Sequence, residues 1–455
     1  MNEDSEIENS IPSKKPDIVL DSYRWVIVII FAAYSGTNFF MFMQFSIIAN
    51  ITKRYYHVDS LMTDATVLVF MIAYIIFFIP VGHFIRKKSL KQTVVISSGL
   101  TALGNSLKLF AVSQDRFYLV IISQAICGLA QVFIISLPPQ VANTWFGAKE
   151  VSIACAIGVM GSQIGIALGC VTSPFLVPDS YNMQEIANGF STVFTIDNVL
   201  SITILVFIIL FFRSAPNSPP SQSQIDRIDG YEDGFGYLET FEVLVKIKDY
   251  KMVLLTFGLS FGIGNGIGIV MNEMFLHFFP GDGKNLGILL LCGIIAGGVF
   301  GTLFFGCILD KTHEFKKVTT FVLVANAISW TGLIMSYQAR SLIGASLFIP
   351  IMGFFNGSLV VIGFEYATET TYPIPECYSA SLLNASIYMV AILAVLVIEC
   401  VIRWIGFFTG QIIFATLLFT AAGCSFLISS DYRRRDANLL SKSNTNYGSF
   451  IDEKP

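Results

Sequence analysis

The stretch Phe257-Gly258-Leu259-Ser260-Phe261-Gly262-Ile263-Gly264-Asn265-Gly266-Ile267-Gly268-Ile269-Val270-Met271-Asn272-Glu273 decides the reading of the chain. It lies inside a long apolar run and places glycine at every second position from Gly262 to Gly268. Each glycine in a helix interior costs about 1 kcal/mol against alanine, so the cluster predicts a helix that bends or opens. Within a bilayer, irregular backbone survives only where it faces protein or a water-filled cavity. Asn265 marks the mid-depth centre of this weak segment. The first apolar run carries a milder counterpart, Ser35-Gly36-Thr37-Asn38, at similar depth. Interrupted segments at matching places in two halves point to a transport pathway. Close packing of helices through small residues is the competing explanation.

Working outward, the 455 residues are 54% hydrophobic and only 13% charged, with a mean hydropathy of +0.67. A soluble domain carries about 25% charged residues, so the chain is read as an integral membrane protein. No cleavable signal pattern follows the polar start. Runs able to cross a bilayer occupy roughly 24–49, 62–85, 91–113, 117–143, 151–176 and 194–212. Six more follow at roughly 252–278, 284–309, 317–337, 341–367, 378–401 and 404–430. The expected organisation is a disordered tail (1–22), a six-helix bundle (23–213), a linker (214–250), a second six-helix bundle (251–431) and a second tail (432–455). Twelve spans divided six and six are the arrangement of the major facilitator superfamily. The fold class is therefore an all-α membrane protein with twelve transmembrane helices in two six-helix bundles.

Basic residues set the expected orientation. Arg24, Arg86, Lys87, Lys88, Lys91, Lys149, Arg213, Lys246, Lys248, Lys251, Lys311, Lys316 and Lys317 fall on the side of both termini, which is read as cytosolic. The opposite side receives only Lys53, Arg54, Arg116, Lys284, Arg340 and Arg403. The linker opens with a flexible Pro/Ser tether at 214–221, and Leu238 to Lys251 reads as an amphipathic helix on the membrane face. The eight cysteines lie in or at the ends of apolar runs without a C-x-x-C pair, so buried thiols are expected rather than a metal site.

Enzyme chemistry, cofactors and nucleic-acid binding find no support in the motifs. The four histidines lack a helical ligand partner, and no carboxylate pair is evident deep in the membrane. Glu365 and Glu369, four apart in the tenth span, read as structural charges at its end. The mid-depth polar set is Asn38, Gln44, Lys108, Gln131 and Gln163 in the first half, with Asn265, Asn356, Asn384 and Tyr388 in the second. Amides and aromatic rings suit a neutral or weakly cationic solute, and the set argues against a proton-coupled pump. Glycines 161, 165 and 169, like 293, 297 and 301, repeat every four residues and predict close helix approach. Gly306-Cys307-Ile308-Leu309-Asp310-Lys311 looks like the superfamily's G-x-x-x-D-(R/K) signature, with Asp310 capping or pairing in one conformation.

Longer strings resemble the feline leukaemia virus subgroup C receptor family of solute carriers. They include Tyr34 to Asn50, Ala130-Gln131-Val132-Phe133-Ile134 with Leu137-Pro138, and Trp145 to Ala156. Gly363-Phe364-Glu365, Glu369 to Pro373 and Leu382 to Ser386 match as well. The resemblance covers nearly all of 23–430 and implies facilitated diffusion of choline, ethanolamine or a related small amine by alternating access; haem export is also attributed to the family. It implies a pocket of a first-span Trp, a seventh-span Tyr and Gln residues in the fourth and eleventh spans. Here Gln131 matches, while Phe42, Asn265 and Tyr388 stand at the other three positions. The expected site is thus Gln131, Asn265, Phe42, Tyr388, Asn38 and Asn384, with Gly262, Gly264, Gly266, Gly268, Asp310, Glu365 and Glu369 in gating or structural roles. A haem transporter and a non-transporting receptor are the alternatives. A monomer at the plasma membrane is expected, with an endolysosomal membrane second because Asp436 to Leu440 and Tyr447 to Phe450 look like sorting signals. Asn50-Ile51-Thr52 is a glycosylation sequon close to the membrane.

Overall fold

The computed structural model describes residues 20–147, 150–216, 218, 237–312, 314–372 and 374–428. The motif residue Lys149, the tether beyond Ser218, the tails and the sorting-like strings lie outside this set. Among the described residues, eleven helices are long and apolar enough to cross a membrane. The first apolar run makes the twelfth crossing in three pieces, Arg24–Phe40, Gln44–Ile47 and Ala49–Tyr56.

The second to sixth spans are Ser60–Lys87, Leu90–Lys108, Phe117–Ser136 continued by Pro138–Trp145, Val151–Leu176 and Met183–Phe211. A short helix, Tyr237–Lys246, leads into the seventh span, Lys248–Phe278. The eighth runs from Gly283 to Thr312 with a π-helical turn at Ala296–Gly301. The ninth to twelfth are Phe315–Gln338, Leu342–Thr371, Glu376–Trp404 and Phe407–Ser425. Pro138 and Pro139 explain the break in the fourth span, since proline clashes with the preceding turn and lacks a donor. Large apolar side chains such as Ile29, Phe110, Leu210, Phe300 and Met335 stand exposed on the outer surface, where lipid replaces water.

The two halves repeat one packing scheme. The first span packs on the fifth, the second on the fourth, and the third on the fourth and sixth; the seventh packs on the eleventh, the eighth on the tenth, and the ninth on the tenth and twelfth. The halves meet where the second span lies on the eleventh and the fifth on the eighth. We call the side bearing the inter-half connection the linker face and the opposite side the far face. The connecting helix docks by Phe241, whose ring lies 5.7 Å from Phe78 and 5.5 Å from Tyr378. It therefore packs on both halves rather than lying free on the membrane.

The seventh span corrects an expectation. It is one continuous helix through all four glycines. A Cβ on Gly262 would stand 2.7 Å from the Ile387 carbonyl oxygen, and one on Gly266 would stand 3.1 Å from the Ala394 Cβ. Gly264 faces the Asn356 side chain, and Gly268 faces Met43. The glycines let neighbours in, so close packing is the explanation that holds. The first span differs too: Ser35 and Asn38 are buried within its regular helix, and the helix breaks one turn later at Met41–Met43. Gln124 Nε2 donates to the Met41 carbonyl at 3.3 Å, and Asn272 Nδ2 donates to the Ile47 carbonyl at 2.6 Å. Those side chains satisfy backbone groups that the break would leave bare in lipid.

The four-residue glycine repeats mark backbone contact. A Cβ on Gly161 would stand 2.8 Å from the Ala32 Cα, and one on Gly165 would stand 2.8 Å from the Gly36 Cα. On the eighth span, a Cβ at Gly297 would stand 3.0 Å from the Gly357 Cα. Trp145 and Phe146 are buried, and Glu150 of the same string pairs with Arg24 at 3.1 Å.

Candidate functional site

Two of the expected residues are joined directly. Gln131 Nε2 donates to Asn38 Oδ1 at 3.4 Å, and Asn38 Nδ2 donates to Thr101 Oγ1 at 3.2 Å and to the Cys127 carbonyl at 3.1 Å. Asn38 is therefore fixed by the third and fourth spans, and it in turn fixes the Gln131 amide. Gln131 Oε1 is buried and has no hydrogen-bond partner among the described residues. A buried acceptor without a donor is destabilising by about 1–3 kcal/mol unless a ligand or water supplies one.

Phe42 sits in the break of the first span and is 7% exposed. Its ring stands edge-on to Phe70 at 5.3 Å and lies 6.0 Å from Phe39. Phe70 begins an aromatic column on the second span, with Tyr74 and Phe78 at successive four-residue steps. Tyr74 stacks on Phe78 at 5.8 Å and meets Tyr388 of the eleventh span perpendicularly at 5.2 Å. Gly128, just under one turn before Gln131, packs on the Phe70 backbone; a Cβ there would stand 2.8 Å from the Phe70 Cα. The second span thus connects Gln131 and Phe42 of one half to Tyr388 of the other. Sequence reading missed this column, although aromatics at four-residue spacing were its signal.

Asn265 and Asn384 are half-buried on the seventh and eleventh spans. Asn384 lies four residues before Tyr388, so both share one helix face. Beside Asn265, Gly264 receives the side chain of Asn356, whose Oδ1 is a second buried acceptor without a partner. Gly268, just under one turn beyond Asn265, lies against Met43, next to Phe42. Other expected residues stand apart. Glu369 is buried and Glu365 exposed at the linker end of the tenth span, and the Asp310 side chain lies outside the described residues.

Gln44 and Lys108 belong to a different network. Lys108 Nζ lies 3.0 Å from Asp197 Oδ2, and Gln44 Nε2 donates to Asp197 Oδ1 at 2.8 Å. Both partners of the ion pair are fully buried within the first half. Asp197, near the start of the sixth apolar run beside Asn198, was legible in the sequence and passed over. Gln163 is half-buried against Gly298 in the π-helical turn.

The far face is closed by contacts between the halves. Lys53 and Ser60 both bind Glu273 of the seventh span, Ser60 Oγ at 2.6 Å, and the Asn50 amide N donates to Asn272 Oδ1 at 3.4 Å. Asn50 Nδ2 of the sequon donates to Asp179 at 3.1 Å.

Comparison with known proteins agrees with this architecture. The family model described as Major Facilitator Superfamily matches residues 27–395. The chain is 33% identical over 415 residues to "Choline/ethanolamine transporter flvcr2a" of Danio rerio, covering 91% of this chain and 88% of that protein. It is 31% identical to "Choline/ethanolamine transporter FLVCR2" of Homo sapiens, covering 94% and 82%. A bacterial homologue of the human lysosomal transporter Spinster shares the fold, with a TM-score of 0.72 and 13% identity over 91% of this chain and 99% of that one. The chain belongs to the major facilitator superfamily and, within it, to the feline leukaemia virus subgroup C receptor-related family of membrane transporters.

Proposed function

We propose that this protein is a facilitative, alternating-access carrier of choline, ethanolamine or a related small amine. The observation that carries the reading is the unpartnered Gln131 Oε1 beside an aromatic column. Choline and ethanolamine share a hydroxyethyl group, whose O–H supplies the donor that Gln131 lacks. The cationic end then rests on the rings of Phe42 and Tyr388, held in place by Phe70 and Tyr74, each contact worth about 0.5–2 kcal/mol. Asn265, Asn356 and Asn384 complete the polar side from the second half. The excess of Lys and Arg on the linker face supports a cytosolic placement of that face and of both termini. The plasma membrane is the expected location, and a monomer the expected form.

The test is uptake of labelled choline and ethanolamine into cells expressing the chain. Gln131→Ala should lower uptake at subsaturating substrate about tenfold or more, as expected from losing a buried hydrogen bond, with surface expression unchanged. Tetramethylammonium, which has no hydroxyl, should inhibit what remains with its wild-type potency. Unaltered choline uptake in the variant would remove Gln131 from the site. Absence of uptake by the wild type, with protein at the surface, would overturn the amine reading and direct a ligand screen that includes haem.

A further inference from the structure

The far-face closure contains more acid than it neutralises. Glu273 is balanced by Lys53 and held by Ser60. Asp59, at the start of the second span, accepts from the Met62 amide as a helix cap. One turn deeper than Ser60, the Asp64 carboxyl is 3% exposed, and Glu399 lies at matching depth on the eleventh span: Tyr74 and Tyr388 touch, and Asp64 and Glu399 stand ten and eleven residues from them towards the far face. Asp64 Oδ2 and Glu399 Oε1 are both buried without a donor among the described residues. Lys53 is committed to Glu273 and Ser60. Two buried carboxyl groups facing one inter-half contact from opposite sides, with Lys53 already paired, repel when both are charged unless something positive lies between them. The same repulsion would drive apart the contact between the second and eleventh spans.

We propose that Asp64 and Glu399 form a proton-binding site, holding one proton between them when the far face is closed and releasing it to far-side water when that face opens. The proposal rests on the alternating-access reading above. A proton fits better than a metal cation because each carboxyl needs only a donor, and one proton shared between two buried acceptor oxygens supplies it. The sign follows from linkage: the closed state binds one proton more than the open state, so the open fraction rises with pH. At its steepest, one proton changes the open-to-closed ratio tenfold per pH unit.

The test reads distance rather than uptake, so its failure is separable from failure of the amine reading. Spin labels are placed by Tyr181→Cys and Ile343→Cys, which are 89% and 85% exposed on the far face of different halves. The full chain is reconstituted in lipid nanodiscs, with the six cysteines that are not fully buried replaced by serine. His57 and the exposed His277, which stacks on Phe407 at 4.2 Å, share this face, so both are replaced by glutamine to keep the readout on the carboxyl pair. Between pH 5 and 9 the long-distance population should grow with pH. Asp64→Asn and, independently, Glu399→Gln should keep the short distance throughout, because an amide supplies the missing donor. A wild-type ratio that is flat over this range would overturn the proposal. So would a wild-type slope retained in both variants, or a ratio that follows sodium concentration at fixed pH.

Discussion

Replacing Lys108 with Met should destabilise the protein by about 3–5 kcal/mol, the range for stranding one partner of a buried ion pair. The carboxylate left behind would sit between the third and sixth spans with, among the described residues, the Gln44 amide as its remaining donor. Asp197→Asn should do comparable damage from the other side: Gln44 keeps its acceptor, but the ammonium loses its counter-charge. The Lys108 Nζ also lies 5.8 Å from the Phe45 ring and 5.9 Å from the Phe194 ring, contacts too weak to replace the carboxylate. The double replacement Lys108→Met with Asp197→Leu should recover most of the loss, since a dry apolar pair does not bury charge. Thermal unfolding in detergent, followed by intrinsic fluorescence, checks all three. A pair of single variants that melt with the wild type would mean that the charges are hydrated.

Gly165→Val should leave almost no monodisperse protein. The first and fifth spans touch backbone to backbone at Gly165 and Gly36. An added side chain would meet main-chain atoms that have no rotamer by which to yield. Overpacking a core costs about 1–3 kcal/mol when side chains can adjust, and here the whole helix must move. Gly161 and Gly169 make the same contact one turn to either side, so displacement at Gly165 strips three contacts at once. Gly99→Ala is the control: nothing lies within 4 Å of its added Cβ. It should raise the melting temperature through helix propensity, worth at most about 1 kcal/mol. Size-exclusion profiles of the two variants decide the matter; a normal Gly165→Val profile would show that the first and fifth spans separate freely.

The twelve spans were readable because bilayer thickness imposes a length on every crossing and composition alone satisfies it. The seventh span was misread for a physical reason. Glycine weakens a helix mainly where water competes for its backbone, whereas Gly262 and Gly266 are shielded by the eleventh span. The real interruption, at Met41–Met43, contains no glycine or proline. Its freed Met41 carbonyl is bound by Gln124, and the Ile47 carbonyl at the next break by Asn272; both are remote in sequence, so no local rule could find the interruptions. Asn38 and Gln131 were legible as mid-depth amides, and their mutual bond followed once the first and fourth spans met. Asp64 and Glu399 lie near the ends of their spans, far apart in sequence, and carry no pairing signal of their own. Only the contact between the second and eleventh spans turns them into a pair.

The ion pair between the third and sixth spans also bears on how the chain is made. Asp197 stands alone near the middle of its span, where a charge costs about 2.5–3.5 kcal/mol during insertion. The third span, which ends at Lys108, has the lowest mean hydropathy of the eleven qualifying helices, 1.3. The third span is therefore a weak client of the insertion machinery until the sixth supplies the counter-charge for Lys108. In chain order, Lys108 meets its counter-charge only after the fourth and fifth spans have been synthesised. A nascent chain halted after the fifth span would carry an unneutralised lysine, the feature by which membrane quality control could recognise an unfinished first half.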